Sequence, residues 1–140
     1  MLLERIYDED LSQASYVIGC QARGEAIVVD ARRDIQTYLD LAAKNNMTIV
    51  AVAETHIHAD YLSGTRELAA ATGAQIYISG EGGEDWQYGF EGTRLHHGDT
   101  ITLGNITVKA LHTPGHTPEH LVFLVTDGAF TDQPGYLLSG

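Results

Sequence analysis

Cysteine, basic residues and long apolar runs are scarce in this chain, and each scarcity excludes a class of protein. One cysteine, Cys20, permits no internal disulfide, so a reducing compartment, the cytoplasm, is expected. Eight lysines and arginines against 19 acids give a net charge of −11, which excludes the basic surface that binds nucleic acid or anionic membranes. No apolar run approaches the roughly 20 residues of a spanning helix, and the acidic N-terminus argues against a secretory signal.

The remaining composition is that of one globular domain. Hydrophobic residues make up 44% of the 140 residues and charged residues 19%, which is typical of a folded chain. A chain of this length suits a single domain and buries roughly two-thirds of its unfolded surface. A substantial core is therefore expected.

Short apolar runs alternate with helical patterns, which predicts an α/β fold with mixed strand pairing. The first two predicted strands form a hairpin with Gly24 at its bend, and a later hairpin bends at Gly104 and Asn105. The predicted strands cover residues 15–20, 26–30, 47–55, 75–79, 99–112 (as the later hairpin), 120–127 and 135–140.

Two helices are predicted between these strands. The first covers residues 34–46, with Asp34 as its N-cap and two asparagines as its stop signals. The second covers residues 59–73, and Asp60 at its start can cap the helix or join a site. Residues 80–94 fit neither period and are predicted to form a long surface loop.

Two histidines and an aspartate follow the predicted strand 47–55. Alternate residues of an extended segment point the same way, so His56 and His58 emerge side by side at the edge where α/β sheets bind ligands. Asp60 adds a carboxylate, and this donor set suits Zn, Fe or Mn. The alternative is that both histidines are ordinary surface residues and Asp60 only caps a helix.

A second histidine cluster lies between two predicted strands, in residues 112–120. Prolines and a glycine frame a rigid loop with His116 at its tip, where a ligand role is expected. His112 ends one strand and His120 begins the next, and both are interpreted as hydrogen-bonded structural residues.

Three further residues are interpreted without a functional role. His96 and His97 precede a predicted strand and are interpreted as surface or turn residues. Cys20 lies in an apolar strand, where cysteine is usually a small buried hydrophobe, and the alternative is a persulfide carrier.

The segments "SYVIGCQARGEAIVVDARRDI", "ETHIHADYLSG" and "GHTPEHLVFLV" resemble the metallo-β-lactamase fold superfamily, and within it the persulfide dioxygenase branch of the ethylmalonic encephalopathy protein type. The resemblance covers nearly the whole chain. It implies the first part of a four-layer αββα sandwich with helices on its outer face. Because the chain stops at Gly140 after an apolar strand, we expect residues 1–140 to be one domain truncated before the second half of that sandwich.

The usual superfamily pattern is H-x-H-x-D-H, followed by a histidine in a PGHT loop. Here Tyr61 stands where the last histidine of the first motif is expected. A phenol is a poor zinc ligand, so the resemblance implies a site for one metal ion rather than two. Tyr61 is expected either to donate a hydrogen bond beside the metal or simply to pack on a helix face.

The persulfide dioxygenase branch implies one Fe(II) held by two histidines and a carboxylate. Carried onto this sequence, His56 and His116 are the two imidazoles, while His58 and Asp60 orient them or act as alternative ligands. The third ligand would be an aspartate after "LLSG", beyond the last residue. The 140-residue chain is therefore expected to bind iron weakly and to be inactive by itself.

The resemblance implies a parent enzyme that oxidises a low-molecular-weight persulfide, such as glutathione persulfide, with O₂ to sulfite and thiol. One alternative is a zinc hydrolase of the glyoxalase II or lactamase type, against which Tyr61 argues. Another is a non-catalytic fragment or interaction module. A C-terminal rhodanese domain in the parent and a homodimer through the open strand edge at residues 136–140 are further expectations.

Overall fold

The computed structural model describes residues 1–140 and consists of two β-sheets packed face to face, with two helices on one side. The larger sheet is antiparallel over its first three strands and parallel from the third strand onward, so the predicted mixed pairing is confirmed. In spatial order its strands are β1 (Leu2–Asp8), β2 (Gln13–Cys20), β3 (Glu25–Val29), β4 (Thr48–Ala53), β5 (Gln75–Ser79) and β6 (Thr93–Leu95).

The smaller sheet is antiparallel throughout, with the spatial order β10-β9-β8-β7. Its strands are β7 (Thr100–Leu103), β8 (Ile106–His112), β9 (Leu121–Asp127) and β10 (Tyr136–Leu138). The apolar residues of β8 and β9 alternate with partly exposed ones, as expected of a sheet with one buried face.

Two apolar clusters hold these layers together. One lies between the sheets, where Ile27 and Ala53 of the larger sheet pack with Phe123 of the smaller one. The other lies between the larger sheet and the helices α1 (Gln36–Lys44) and α2 (Thr65–Thr72). The helices therefore cover the outer face of the larger sheet, and the chain forms three layers of an αββα architecture. Neither helix is both long enough and apolar enough to span a membrane.

Both helices begin later than predicted. α2 starts at Thr65 with Gly64 as its N-cap, so Asp60 lies outside the helix and does not cap it. A side chain at position 64 would collide with the carbonyl oxygen of Arg32, which explains the glycine at this turn. α1 has Ile35 rather than an aspartate at its cap position, without a side-chain capping bond.

Two strands were not predicted from the sequence. In β1, Leu3 packs into the core between the sheets, while Leu2 and Ile6 pack on the helix side. Both faces of the strand therefore carry apolar side chains that contact a core. β6 is only three residues long and begins at Thr93, so it overlaps the last two residues of the predicted loop of residues 80–94. The remainder of that loop, residues 80–92, is irregular, as predicted.

Candidate metal centre

The two histidine segments meet where β4 ends and β9 begins. The backbone N–H of Leu121 donates to the carbonyl oxygen of Thr55 across 2.7 Å, which joins the two sheets beside the histidines. His56 follows Thr55 and His120 precedes Leu121, so this one bond brings two distant parts of the chain together.

Four imidazoles surround one cavity of about 580 Å³. The ring centre of His56 lies 4.9 Å from those of both His116 and His120, and 4.0 Å from that of His58. His116 and His120 are 6.3 Å apart. His120 was predicted to be only a structural residue, whereas its ring lies as near to His56 as that of His116 does.

Short hydrogen bonds hold the loop that carries His116. The N–H of Thr113 donates to the carbonyl oxygen of His120 across 2.9 Å, and the Thr113 hydroxyl lies 3.0 Å from Nδ1 of His120. At the base of the loop, Nε2 of His112 lies 2.8 Å from the carbonyl oxygen of Pro118. His112 therefore makes the structural bond expected of it, and His116 lies exposed at the loop tip.

Asp30 is a buried carboxylate that sequence reasoning missed. Its Oδ1 accepts from the N–H of Thr55 at 2.7 Å and from Nε2 of His58 at 3.0 Å, while its Oδ2 accepts from the Thr55 hydroxyl at 2.8 Å. Asp30 directly follows β3, and a polar residue at the carboxyl end of a buried strand is the signal that could have identified it.

The same hydrogen bonds determine the tautomer of His56. The Thr55 hydroxyl donates its hydrogen to Asp30, so it can only accept from Nδ1 of His56, which lies 2.9 Å away. Nε2 of His56 is then left with a free lone pair. Burial and the charge of His58 lower the pKa of His56 to about 4, so this lone pair is available at neutral pH.

His58 has the opposite electrostatic environment. Burial alone would lower its pKa, but the hydrogen bond to Asp30 and the charges of Asp30 and Glu54 outweigh burial and raise it. A proton on His58 is therefore stabilised and competes with a metal ion for the ring.

Glu54 is a second buried carboxylate that sequence reasoning missed, although it too follows a strand. It accepts a hydrogen bond from the Ser63 hydroxyl, and its Oε2 lies 3.6 Å from Nε2 of His58. Burial and the charge of Asp30 raise the pKa of Glu54 to about 7. Ligand atoms of Asp30, Glu54 and His58 lie within 4.8 Å of one another, and both Asp30 oxygens accept hydrogen bonds, one of them from Nε2 of His58.

Tyr61 lies at the cavity wall, with its ring centre 4.6 Å from that of His58. Its hydroxyl accepts from Nε2 of Gln13 at 3.2 Å and lies 3.3 Å from the carbonyl oxygen of Asp30. Burial, with the charges of Asp30 and Glu54, raises the pKa of this phenol, which keeps it protonated. Asp60 also lines the cavity, but its carboxylate is exposed.

Glu119 connects the two histidine segments and was missed as well. Its Oε1 accepts from the N–H of Ile57 at 2.6 Å, between His56 and His58, and its own carbonyl oxygen accepts from the Ser79 hydroxyl at 2.6 Å. The residue is fully buried. It therefore fixes the loop of His116 against the segment that follows β4.

The chain passes directly beside the imidazoles at Gly140. A Cβ at this position would lie 2.9 Å from Nε2 of His120 and 3.3 Å from Nδ1 of His56. Gly140 also has a positive φ of 83°, which favours glycine.

These residues fit a transition-metal ion. His56 offers a neutral imidazole with a free nitrogen, and His116 and His120 bring two more rings to the same cavity. Burial and the charge of His116 lower the pKa of His120, which also favours the neutral form. Imidazole donors suit iron and zinc alike, so the donor set by itself does not choose between them.

Comparison with known proteins identifies the family to which this chain is similar. Residues 8–130 match the metallo-beta-lactamase superfamily. The crystal structure of a metallo-beta-lactamase from Staphylococcus aureus superimposes with a TM-score of 0.95 and 47% identity, over 99% of this chain and 41% of the other.

Two curated relatives have different activities. Hydroxyacylglutathione hydrolase of Nitrosococcus oceani is 32% identical over 123 residues, which cover 86% of this chain and 46% of the relative. Persulfide dioxygenase ETHE1 of Bos taurus is 27% identical over 135 residues, which cover 91% of this chain and 49% of the relative. The chain thus spans about half the length of these relatives.

Proposed function

The chain belongs to the metallo-beta-lactamase superfamily, and on that basis we propose that it forms the iron-binding part of a dioxygenase acting on a low-molecular-weight thiol persulfide. Glutathione persulfide is the representative substrate. Because the relatives are about twice as long, the activity is proposed for a protein whose chain continues past Gly140.

Tyr61 is the observation that carries this proposal. It occupies the position where the superfamily pattern has a histidine, and its partly buried hydroxyl is engaged with Gln13 and Asp30 rather than free. A protonated phenol is a poor metal ligand, and the proton favoured on His58 weakens a second imidazole in the same way. Both features favour one metal ion over the two-metal centre of a hydrolase.

His56 and His116 are the proposed iron ligands. The surrounding residues position these ligands in the absence of substrate. Thr55 and Asp30 fix the tautomer of His56. Glu119 holds the backbone segment between His56 and His58 in place. Ferrous iron, when bound, supplies the chemistry that allows O₂ to react with a persulfide sulfur.

The third proposed ligand is a carboxylate that directly follows Gly140. The proximity of Gly140 to His56 and His120 supports this assignment, since a following side chain would start beside the rings. Two imidazoles and one carboxylate leave open positions for O₂ and substrate.

The proposed reaction breaks the S–S bond of the persulfide and oxidises its terminal sulfur. Persulfide, O₂ and water give thiol, sulfite and two protons, with two of the sulfite oxygens coming from O₂ and the third from water. The four-electron reduction of O₂ balances the oxidation of this sulfur to sulfite, and no further reductant is needed.

Oxygen uptake by a chimera tests the proposal. Residues 1–140 would replace the matching part of the Staphylococcus aureus protein, whose close structural agreement makes the junction feasible. With Fe(II) and glutathione persulfide, the chimera should consume O₂ and release equimolar sulfite, and His116→Ala should remove both. Absence of O₂ uptake by an iron-loaded, folded chimera would refute the proposal.

A zinc-dependent thioester hydrolase is the second candidate, because the hydroxyacylglutathione hydrolase is the more similar of the two relatives at 32% identity. It predicts that the zinc-loaded chimera hydrolyses S-lactoylglutathione without taking up O₂. That result, with no sulfite produced by the iron form, would make the hydrolase the better description.

A further inference from the structure

Strand β1 brings one arginine to the cavity of the metal centre. Arg5 and Tyr7 lie on the same face of β1 as Leu3, which packs between the sheets, because strand residues alternate. Arg5 lies opposite Tyr16 of β2, and both line the cavity that also holds His56 and His116.

Arg5 is the only lysine or arginine in the lining of this cavity. Two arginines of the chain are paired with acids, Arg32 with Asp8 at 3.0 Å and Arg23 with Glu25 at 3.5 Å. The unpaired arginines other than Arg5, namely Arg33, Arg66 and Arg94, do not line the cavity. Arg5 forms no ion pair with any carboxylate of the chain, although the net charge is −11. An unpaired cation beside a metal centre, in so acidic a chain, favours an anionic ligand group.

The Arg5 guanidinium lies over the aromatic ring of Tyr7, where it could meet a carboxylate. Its central carbon lies 4.6 Å from the ring centre of Tyr7, an arrangement that stabilises the flat group by cation–π attraction. A guanidinium placed over an aromatic ring can still direct its N–H edge toward another group. That edge matches the two oxygens of a carboxylate.

We propose that Arg5 is a specificity-determining residue that binds a carboxylate of the thiol carrier, so that the preferred substrates are persulfides of carboxylate-bearing thiols. This inference rests on the proposed function for the identity of the substrate. Arg5 lines the same cavity as the proposed metal ligands but is not one of them.

Glutathione binding to the metal-free 140-residue chain tests this directly and needs no turnover. Chemical-shift titrations would compare glutathione with its diethyl ester, in which both carboxylates are blocked. Arg5→Met keeps an apolar stem over Tyr7 and removes the charge. Arg66→Met is the matched control, because Arg66 also stacks on an aromatic ring, that of Phe90 at 5.7 Å, but does not line the cavity.

We expect the wild-type chain to bind glutathione about fivefold more tightly than the ester, as one partly exposed charge pair allows. Arg5→Met should remove this preference and Arg66→Met should keep it. An equal loss in both variants, an ester that binds as tightly as glutathione, or no binding of glutathione at all would overturn the inference. If the preference is observed but the chimera consumes no O₂, the proposed function fails while the carboxylate site stands.

Discussion

At the scale of single residues, the Asp30 carboxylate determines how two imidazoles present their nitrogens. It accepts from His58 directly and from His56 through the Thr55 hydroxyl. The hydrogen bond and charge of Asp30 favour a cation at His58, whereas burial and the charge of His58 favour a neutral ring at His56, although both residues follow the same strand. Their chemical difference therefore arises from their surroundings rather than from their spacing in the sequence.

Glu54→Gln should change how stability depends on pH. The folded-state pKa of Glu54, about 7, lies above its ordinary value of 4.5, so folding favours the protonated carboxyl. The stability that this group supports is complete below pH 4.5 and is lost as the pH rises through about 7. Glutamine mimics the protonated form. The free energy of unfolding of the variant, relative to that of wild type, should therefore rise by on the order of 1–3 kcal/mol when the pH is raised from 5 to 8.

Urea unfolding of the metal-free chain at both pH values measures this gain. Glu67→Gln, on the exposed side of α2, is the matched control. The explanation of Glu54 is wrong if its glutamine variant differs from wild type by the same free energy at pH 5 and at pH 8.

Tyr61→Phe should separate a structural tyrosine from a metal ligand. The variant loses the hydroxyl that contacts Gln13 and Asp30, which should cost about 1 kcal/mol of unfolding free energy. Metal affinity should stay within about twofold of wild type, because the protonated phenol is not expected to bind the ion. A large loss of metal affinity without a comparable loss of stability would show that Tyr61 is a ligand.

At the scale of secondary-structure elements, local patterns predicted the parts of the fold that local physics controls. The β-branched runs of β3, β4 and β9 identify buried strands. The end of β4 indicates where His56 lies, and the prolines and glycine around His116 indicate the loop that carries it. The start of α2 could not be predicted, because Gly64 is set by contact with Arg32, a residue distant in sequence. Asp30 and Glu119 were missed for the same reason, since their partners lie in other elements.

Glu119→Ala tests whether that residue joins the two histidine segments. The variant leaves the buried N–H of Ile57 without its acceptor, which should lower the free energy of unfolding by about 1–3 kcal/mol. Hydrogen exchange of the Ile57 amide should become faster. Glu119→Gln keeps an acceptor oxygen and should retain most of the protection. Unchanged exchange at Ile57 in the alanine variant would mean that Glu119 does not link the segments.

At the scale of the whole molecule, the chain contains three layers of the four-layer sandwich implied by the resemblance. Both helices cover the larger sheet, while the smaller sheet carries no helix and leaves Leu137 57% exposed. The superfamily could be recognised from the sequence because its histidine motifs are specific. Iron and zinc could not be distinguished in this way, because both accept imidazole and carboxylate ligands.

The central claim is that His56 and His116 bind a single ion. Its most direct test is anaerobic Fe(II) titration of the chain with one aspartate added after Gly140, in wild type and in the variants His56→Ala, His116→Ala and His96→Ala. We expect the wild type to bind one Fe(II) per chain, and His56→Ala and His116→Ala each to bind it at least about tenfold more weakly. His96→Ala should bind as tightly as the wild type, because the exposed ring of His96 does not line the cavity. Unchanged affinity in either His56→Ala or His116→Ala would contradict the claim.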